Sequence, residues 1–229
     1  MSRAPQTSEP VPGSPDRRIE RGRSTRAQLL TAAIEVLSEQ GYVATSMRAV
    51  SDRAGTPLSL VQYHFGSKQG LLVAVMEEMN TRGLERQQAM WADGRPFAEQ
   101  WRSACEYLRA DVHSGYVRIL WELWAAGLAD PELAERWRAT IRGWRELIIE
   151  RLERWQAEEN VELPMSTRAL ATLMANLFEG AETEILAGFE EDEASHLEAL
   201  EACATLIAGA EKRAKPRVRR GSRRPGSSG

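Results

Sequence analysis

Apolar residues recur along this chain with the period of an α-helix, and nowhere with that of a strand. Leu29, Leu30, Ala33, Ile34 and Leu37 form one stripe, and Leu71, Leu72, Val75, Met76 and Met79 another. Spacings of three and four place such residues on one helical face. Phe97, Trp101, Ala104, Cys105, Leu108 and Val112 make a third stripe, interrupted near Gly115, and Val117, Leu120, Trp121 and Trp124 a fourth. The longest runs from Leu133 through Trp137, Ile141, Trp144, Ile148 and Leu152 to Trp155. Leu170, Leu173, Leu177, Ala181 and Ile185 share a face, as do Leu197, Leu200, Ala204 and Ile207. No β-alternation and no internal repeat is visible, so the pattern predicts an all-α fold of about nine helices.

Start and stop signals punctuate these stripes. Gly41 follows the first as a C-cap. Thr45 and Ser46 are N-cap candidates for a short second helix that ends at Ala54-Gly55. Pro57 suits the first turn of a third, about seven residues long, and Ser67 can cap the fourth. Asp130-Pro131-Glu132 combines an N-cap, a first-turn proline and a first-turn acid. Pro164 stops the following helix and Ser166 can restart the chain. Two short helices meeting at Ser51–Gly55 have the spacing of a helix-turn-helix, whose second helix enters a DNA major groove.

Composition narrows the class of protein. The 229 residues are 42% hydrophobic and 28% charged, enough to build a core. No apolar run approaches the ~18 residues of a membrane helix. The N-terminal stretch, holding four prolines in its first 16 residues, lacks the apolar centre of a secretory signal, which fits a cytoplasmic protein. Cys105 and Cys203 stand apart without a CxxC, as expected of free thiols.

The net charge of −3 hides an asymmetry. Residues 73–210 hold 13 basic and 26 acidic side chains, a net −13. Residues 211–229 instead carry eight Lys/Arg against Glu211, and residues 1–24 five Arg against three acids. The acidic body would repel a phosphate backbone; the N-terminal region and the tail would not. Low apolar content at both ends predicts a disordered basic arm (1–23) and tail (211–229) around ordered segments 24–70 and 71–210.

Thr45–Leu72, "TSMRAVSDRAGTPLSLVQYHFGSKQGLL", resembles the DNA-binding segment of the tetracycline-repressor (TetR) family of bacterial regulators. The resemblance rests on Thr45, Ser46, Arg48, Val50, Ala54, Gly55, Val61, His64, Phe65, Ser67, Lys68 and Leu71. The chain departs at Ser51, where alanine is usual, and at Gln62, where tyrosine is frequent. The resemblance implies a ligand-responsive transcriptional regulator, a repressor released from a palindromic double-stranded DNA operator. It also implies that His64 and Phe65 pack between the recognition helix and the first helix. Groove chemistry assigns Arg48, Leu58, Ser59 and Gln62 to base reading, and Ser46, Tyr63 and Lys68 to phosphates.

All seven tryptophans lie between residues 91 and 155. The resemblance implies a helical small-molecule pocket in the second domain; Tyr107, Trp121, Trp124 and Trp144 are candidates to line it. Aromatic walls suit an apolar, aromatic or cationic effector. Glu122, in their midst, needs Arg118 or the effector as a partner. The last two helices, carrying Ala171, Ala175, Gly180, Ala181, Gly188, Ala204 and Ala208, correspond to the family's homodimer interface. No catalytic constellation, metal-ligand spacing or cofactor motif is present in the sequence. An activator of the same fold, or a helical sequestering protein that has lost operator binding, are the alternative functions.

Overall fold

Caps and glycines set the element boundaries in the computed structural model, which describes residues 15–188 and 190–214. Nine helices run among them: α1 (Pro15–Ala44), α2 (Met47–Ala54), α3 (Leu58–Phe65), α4 (Lys68–Ala92), α5 (Phe97–His113), α6 (Tyr116–Gly127), α7 (Pro131–Glu159), α8 (Thr167–Leu186) and α9 (Glu190–Arg213). Ser46 Oγ accepts the Ala49 N–H at 3.1 Å, Ser67 Oγ the Gly70 N–H at 3.0 Å, and Ser166 Oγ the Ala169 N–H at 3.2 Å. Asp130 Oδ1 accepts from the Glu132 and Leu133 N–H groups at the start of α7. The four N-termini read from sequence thus carry the caps expected of them.

Two compact units emerge. The first takes Met1–Thr81 with Gly115–Trp137, the second Arg82–Ser114 with Arg138–Gly229. This division differs from a boundary at residue 70. In the first unit α6 packs on α1, burying Val117, Leu120 and Leu123, and α4 is buried from Leu71 through Met76. Residues distant in sequence therefore complete the core around α1–α3.

In the second unit, α9 packs against α5 and α8. Trp101, 2% exposed, anchors the contact: its Nε1–H donates to the Leu200 carbonyl at 2.6 Å and its ring meets Phe178 edge-on. At the C-terminus of α4, Gln100 Nε2 donates to the Met90 and Trp91 carbonyls and Arg154 to that of Trp91. These donors satisfy carbonyls that have no partner inside the helix.

Helix α1 begins at Pro15, so residues 15–23 of the expected disordered arm are helical. Arg and Glu are good helix formers. Residues 1–14 and 215–229, and with them the rest of the expected arm and nearly all of the expected tail, lie outside the described residues.

Candidate DNA interface

The turn between α2 and α3 is made by three residues. Gly55 closes α2 in the left-handed region, at φ 63°, where glycine carries no Cβ penalty. Ser51, 6% exposed, donates its hydroxyl to the Thr56 carbonyl at 2.7 Å. The departure from alanine at this position is thereby explained: the hydroxyl fits and satisfies a turn carbonyl. Arg53 bridges Glu35 and Glu39 on α1, at 2.9 Å from Glu39 Oε1, tying α2 to α1. Those carboxylates raise the Arg53 pKa, and Arg53 in return holds Glu39 below the usual carboxylate range.

Helix α3 is anchored through Val61 and Phe65, both buried. The Arg26 guanidinium of α1 lies 5.5 Å from the Phe65 ring centroid. Phe65 therefore packs as the resemblance implied, while His64 is half-buried with its ring edge-on to Tyr63 at 5.1 Å. The opposite face is open: Ser59, Leu60, Gln62 and Tyr63 are exposed, Tyr63 at 81%, and Leu58 is half-buried. Arg48 and Ser46 of α2 are also exposed, although the Ser46 hydroxyl is already committed to its cap.

Lys68 sits differently. It is half-buried, donates to the Tyr42 carbonyl at 3.0 Å, and lies 4.8 Å from the Tyr42 ring centroid. It fastens the α1–α2 junction, and an ammonium with one donor on a carbonyl keeps two for a phosphate.

The same junction is held by α6, which sequence patterning had assigned to the second domain. Gly41 takes φ 77°, and the Tyr42 N–H beyond it donates to Glu122 Oε2 at 2.6 Å. Arg118 donates to the Leu37 and Ser38 carbonyls at the end of the regular part of α1. The partner of Glu122 is thus chiefly a backbone N–H of the DNA-binding segment; Arg118 approaches only to 3.9 Å. A Cβ on Gly41 would lie 3.1 Å from Glu122 Oε1 and press on that carboxylate, in addition to the strain of a side chain at positive φ. A clamp between residues 80 apart leaves no local signal in the sequence.

The aromatic candidates separate between the two units. In the first, Trp121 meets Trp124 edge-on at 5.3 Å and Trp137 at 5.9 Å, an aromatic triad between α6 and α7. In the second, Tyr107 lies 4.7 Å beneath Arg86, which is paired with Asp111, and Trp144 is half-buried with its Nε1 lacking a hydrogen-bond partner. Glu179 on α8, not singled out from sequence, is pushed upward in pKa by burial, with the Arg145 charge opposing. A cleft of about 730 Å³ in the second unit is lined by other residues, among them Trp91, Leu147, Glu150 and Arg154. Both cysteines are free thiols; burial pushes Cys105 up to about 12 and Cys203 upward, which keeps them protonated and unreactive at neutral pH. Among the described residues no group of His, Cys, Asp or Glu could hold a metal ion, and no helix is long and apolar enough to cross a membrane.

A helix-turn-helix whose second helix turns Ser59, Leu60, Gln62 and Tyr63 outward has the arrangement of a DNA-binding module. The model of bacterial regulatory proteins of the tetR family matches residues 29–75. The HTH-type transcriptional regulator UidR of Escherichia coli (strain K12) is 25% identical over 178 residues, covering 78% of this chain and 90% of its own. The HTH-type transcriptional regulator CymR of Pseudomonas putida is 31% identical over 134 residues, covering 56% of this chain and 64% of that protein. A TetR-family transcriptional regulator from Pectobacterium atrosepticum, 28% identical, superposes with a TM-score of 0.64 over 83% of this chain and 96% of its own. Residues 29–75 thus match the DNA-binding domain of the tetR-family regulators, and the relatives that this chain resembles over most of their length are HTH-type transcriptional regulators.

The clamp on Tyr42 yields a stability test. Glu122→Ala leaves a half-buried N–H unpaired and should lower stability by about 1–3 kcal/mol, whereas Glu122→Gln keeps an acceptor and should cost less. Urea unfolding followed by circular dichroism measures both. Equal, negligible losses would show that the Glu122–Tyr42 bond does not hold the junction.

Proposed function

We propose that the protein is a homodimeric transcriptional repressor that grips a near-palindromic operator and is released by a small-molecule effector. The observation that carries this reading is the open face of α3. Ser59, Gln62 and Tyr63 project from a short helix whose other face is locked by Val61 and Phe65. Arg48 and Gln62 have the donors to read guanine and adenine, Ser59 reads either, and Leu58 and Leu60 can meet a thymine methyl. Ser46, Tyr63 and Lys68 position the backbone. Segment 24–70 acts as the DNA-binding domain and 71–210 as the effector and dimerisation domain, in the cytoplasm and without catalysis.

An effector of apolar, aromatic or cationic character fits the tryptophan-rich middle of the chain. The buried, unpartnered Nε1 of Trp144 favours a ligand that also offers a hydrogen-bond acceptor. Dimerisation is supported by α8 and α9. Leu173 and Leu177 are 46% and 41% exposed one turn apart on α8, and Leu206 is 72% exposed on α9. Leucines at these positions belong in an interface, and a second copy would cover them. Two-fold symmetry then sets two α3 helices about one DNA turn apart.

Selection of bound fragments from the host genome identifies the operator. On that duplex Arg48→Ala and Gln62→Ala should each lose about 1–3 kcal/mol, with little loss on random DNA. Equal losses on both would remove these residues from the reading set. Light scattering should find a dimer at micromolar concentration, and Leu173→Glu with Leu177→Glu should give monomers. A wild-type monomer that still binds the operator would contradict the dimer.

A further inference from the structure

The turns of α1 from Ile19 to Gln28 carry no buried residue. The buried face of this helix starts at Leu29, where the family match also starts. Before it, the described side chains from Ile19 to Gln28 are exposed, apart from half-buried Gly22 and Thr25. Between Pro15 and Arg26 the helix rises about 16 Å at 1.5 Å per residue. A helix with no buried face is marginal by itself in water.

Its charge is one-sided. Residues 15–28 hold Arg17, Arg18, Arg21, Arg23 and Arg26 against Asp16 and Glu20, a net +3. Arg21 and Arg23 are exposed and enter no ion pair among the described residues. Arg26 fixes where the extension starts: its guanidinium sits over Phe65, the last residue of α3, within one helical turn of Tyr63. The arginines therefore begin beside the C-terminal end of α3.

We infer that this helical extension is a second DNA-contacting element, with Arg21 and Arg23 pairing to phosphates that flank each half-site. The inference rests on the DNA-binding reading above and widens the footprint beyond the helix-turn-helix. Charge complementarity names the occupant: exposed guanidiniums beside the groove-reading helix meet a polyanion, and Arg forms bidentate pairs with phosphate. These pairs add affinity and register without reading bases.

Fluorescence anisotropy at several salt concentrations tests it, with two duplexes: the operator recovered by genomic selection, trimmed to its palindrome, and the same operator with about one helical turn of flank on each side. Wild type should bind the flanked duplex more tightly. Arg21→Ala with Arg23→Ala should bind both duplexes alike, with a salt slope shallower by about 0.9 for each phosphate left unpaired. Arg21→Lys with Arg23→Lys should keep most of the slope, because a phosphate accepts either cation. Unchanged circular dichroism shows that the helix persists in each variant. If wild type binds the operator and the alanine variant matches it in affinity and slope on flanked DNA, the inference falls while the DNA-binding reading stands. If wild type binds neither duplex, both fall.

Discussion

The junction between α1 and α2 is the constraint on which the recognition surface depends. Gly41 turns the chain at φ 77°, which frees the Tyr42 N–H and carbonyl from the helix. Glu122 takes the first and Lys68 the second. Thr45, 1% exposed, closes the turn by donating its hydroxyl to the Gly41 carbonyl at 2.8 Å. Ser46 can then cap α2, Arg53 can reach Glu35 and Glu39, and the Ser51 hydroxyl can hold the turn that presents α3. The outward direction of Gln62 and Tyr63 is the last link of a chain of contacts that starts at a glycine outside the helix-turn-helix itself.

That chain also ties DNA binding to the part of the molecule assigned to sensing. Glu122 and Arg118 lie on α6, and Trp121 and Trp124 are on the same helix. A ligand that shifted α6 by one hydrogen-bond length would change the partners of Tyr42 and of the last α1 carbonyls. Such bonds are short-ranged and either made or broken, so a small displacement becomes a discrete change at the junction.

Local signals in the sequence account for most of the architecture. The stripes from Leu29 to Leu37 and from Leu71 to Met79 are buried apart from half-buried Ile34, and Ser46, Ser67, Asp130 and Ser166 cap the helices they were expected to start. Capping and periodicity act within four residues, so they leave a local trace. The Glu122–Tyr42 clamp and the seat of Lys68 do not, because they join residues far apart in the chain. The α8 stripe was legible only as a shared face: along it Ala181 is buried, Leu170 and Ile185 are half-buried, and Leu173 and Leu177 are exposed. Periodicity shows that a face exists and not what covers it. Likewise the tryptophan count gave no means of separating the Trp121–Trp124–Trp137 triad from Trp144 and Tyr107, which lie in another unit.

The central claim is that the open face of α3 meets operator DNA while its locked face keeps the fold. Amide hydrogen exchange with and without the selected operator duplex tests it most directly. The account requires added protection across α2 and α3, from Met47 to Phe65, with free-state protection already present at the buried Val61 and Phe65. Protection that appears only in α8 and α9, with exchange at α3 unchanged by DNA, would contradict it.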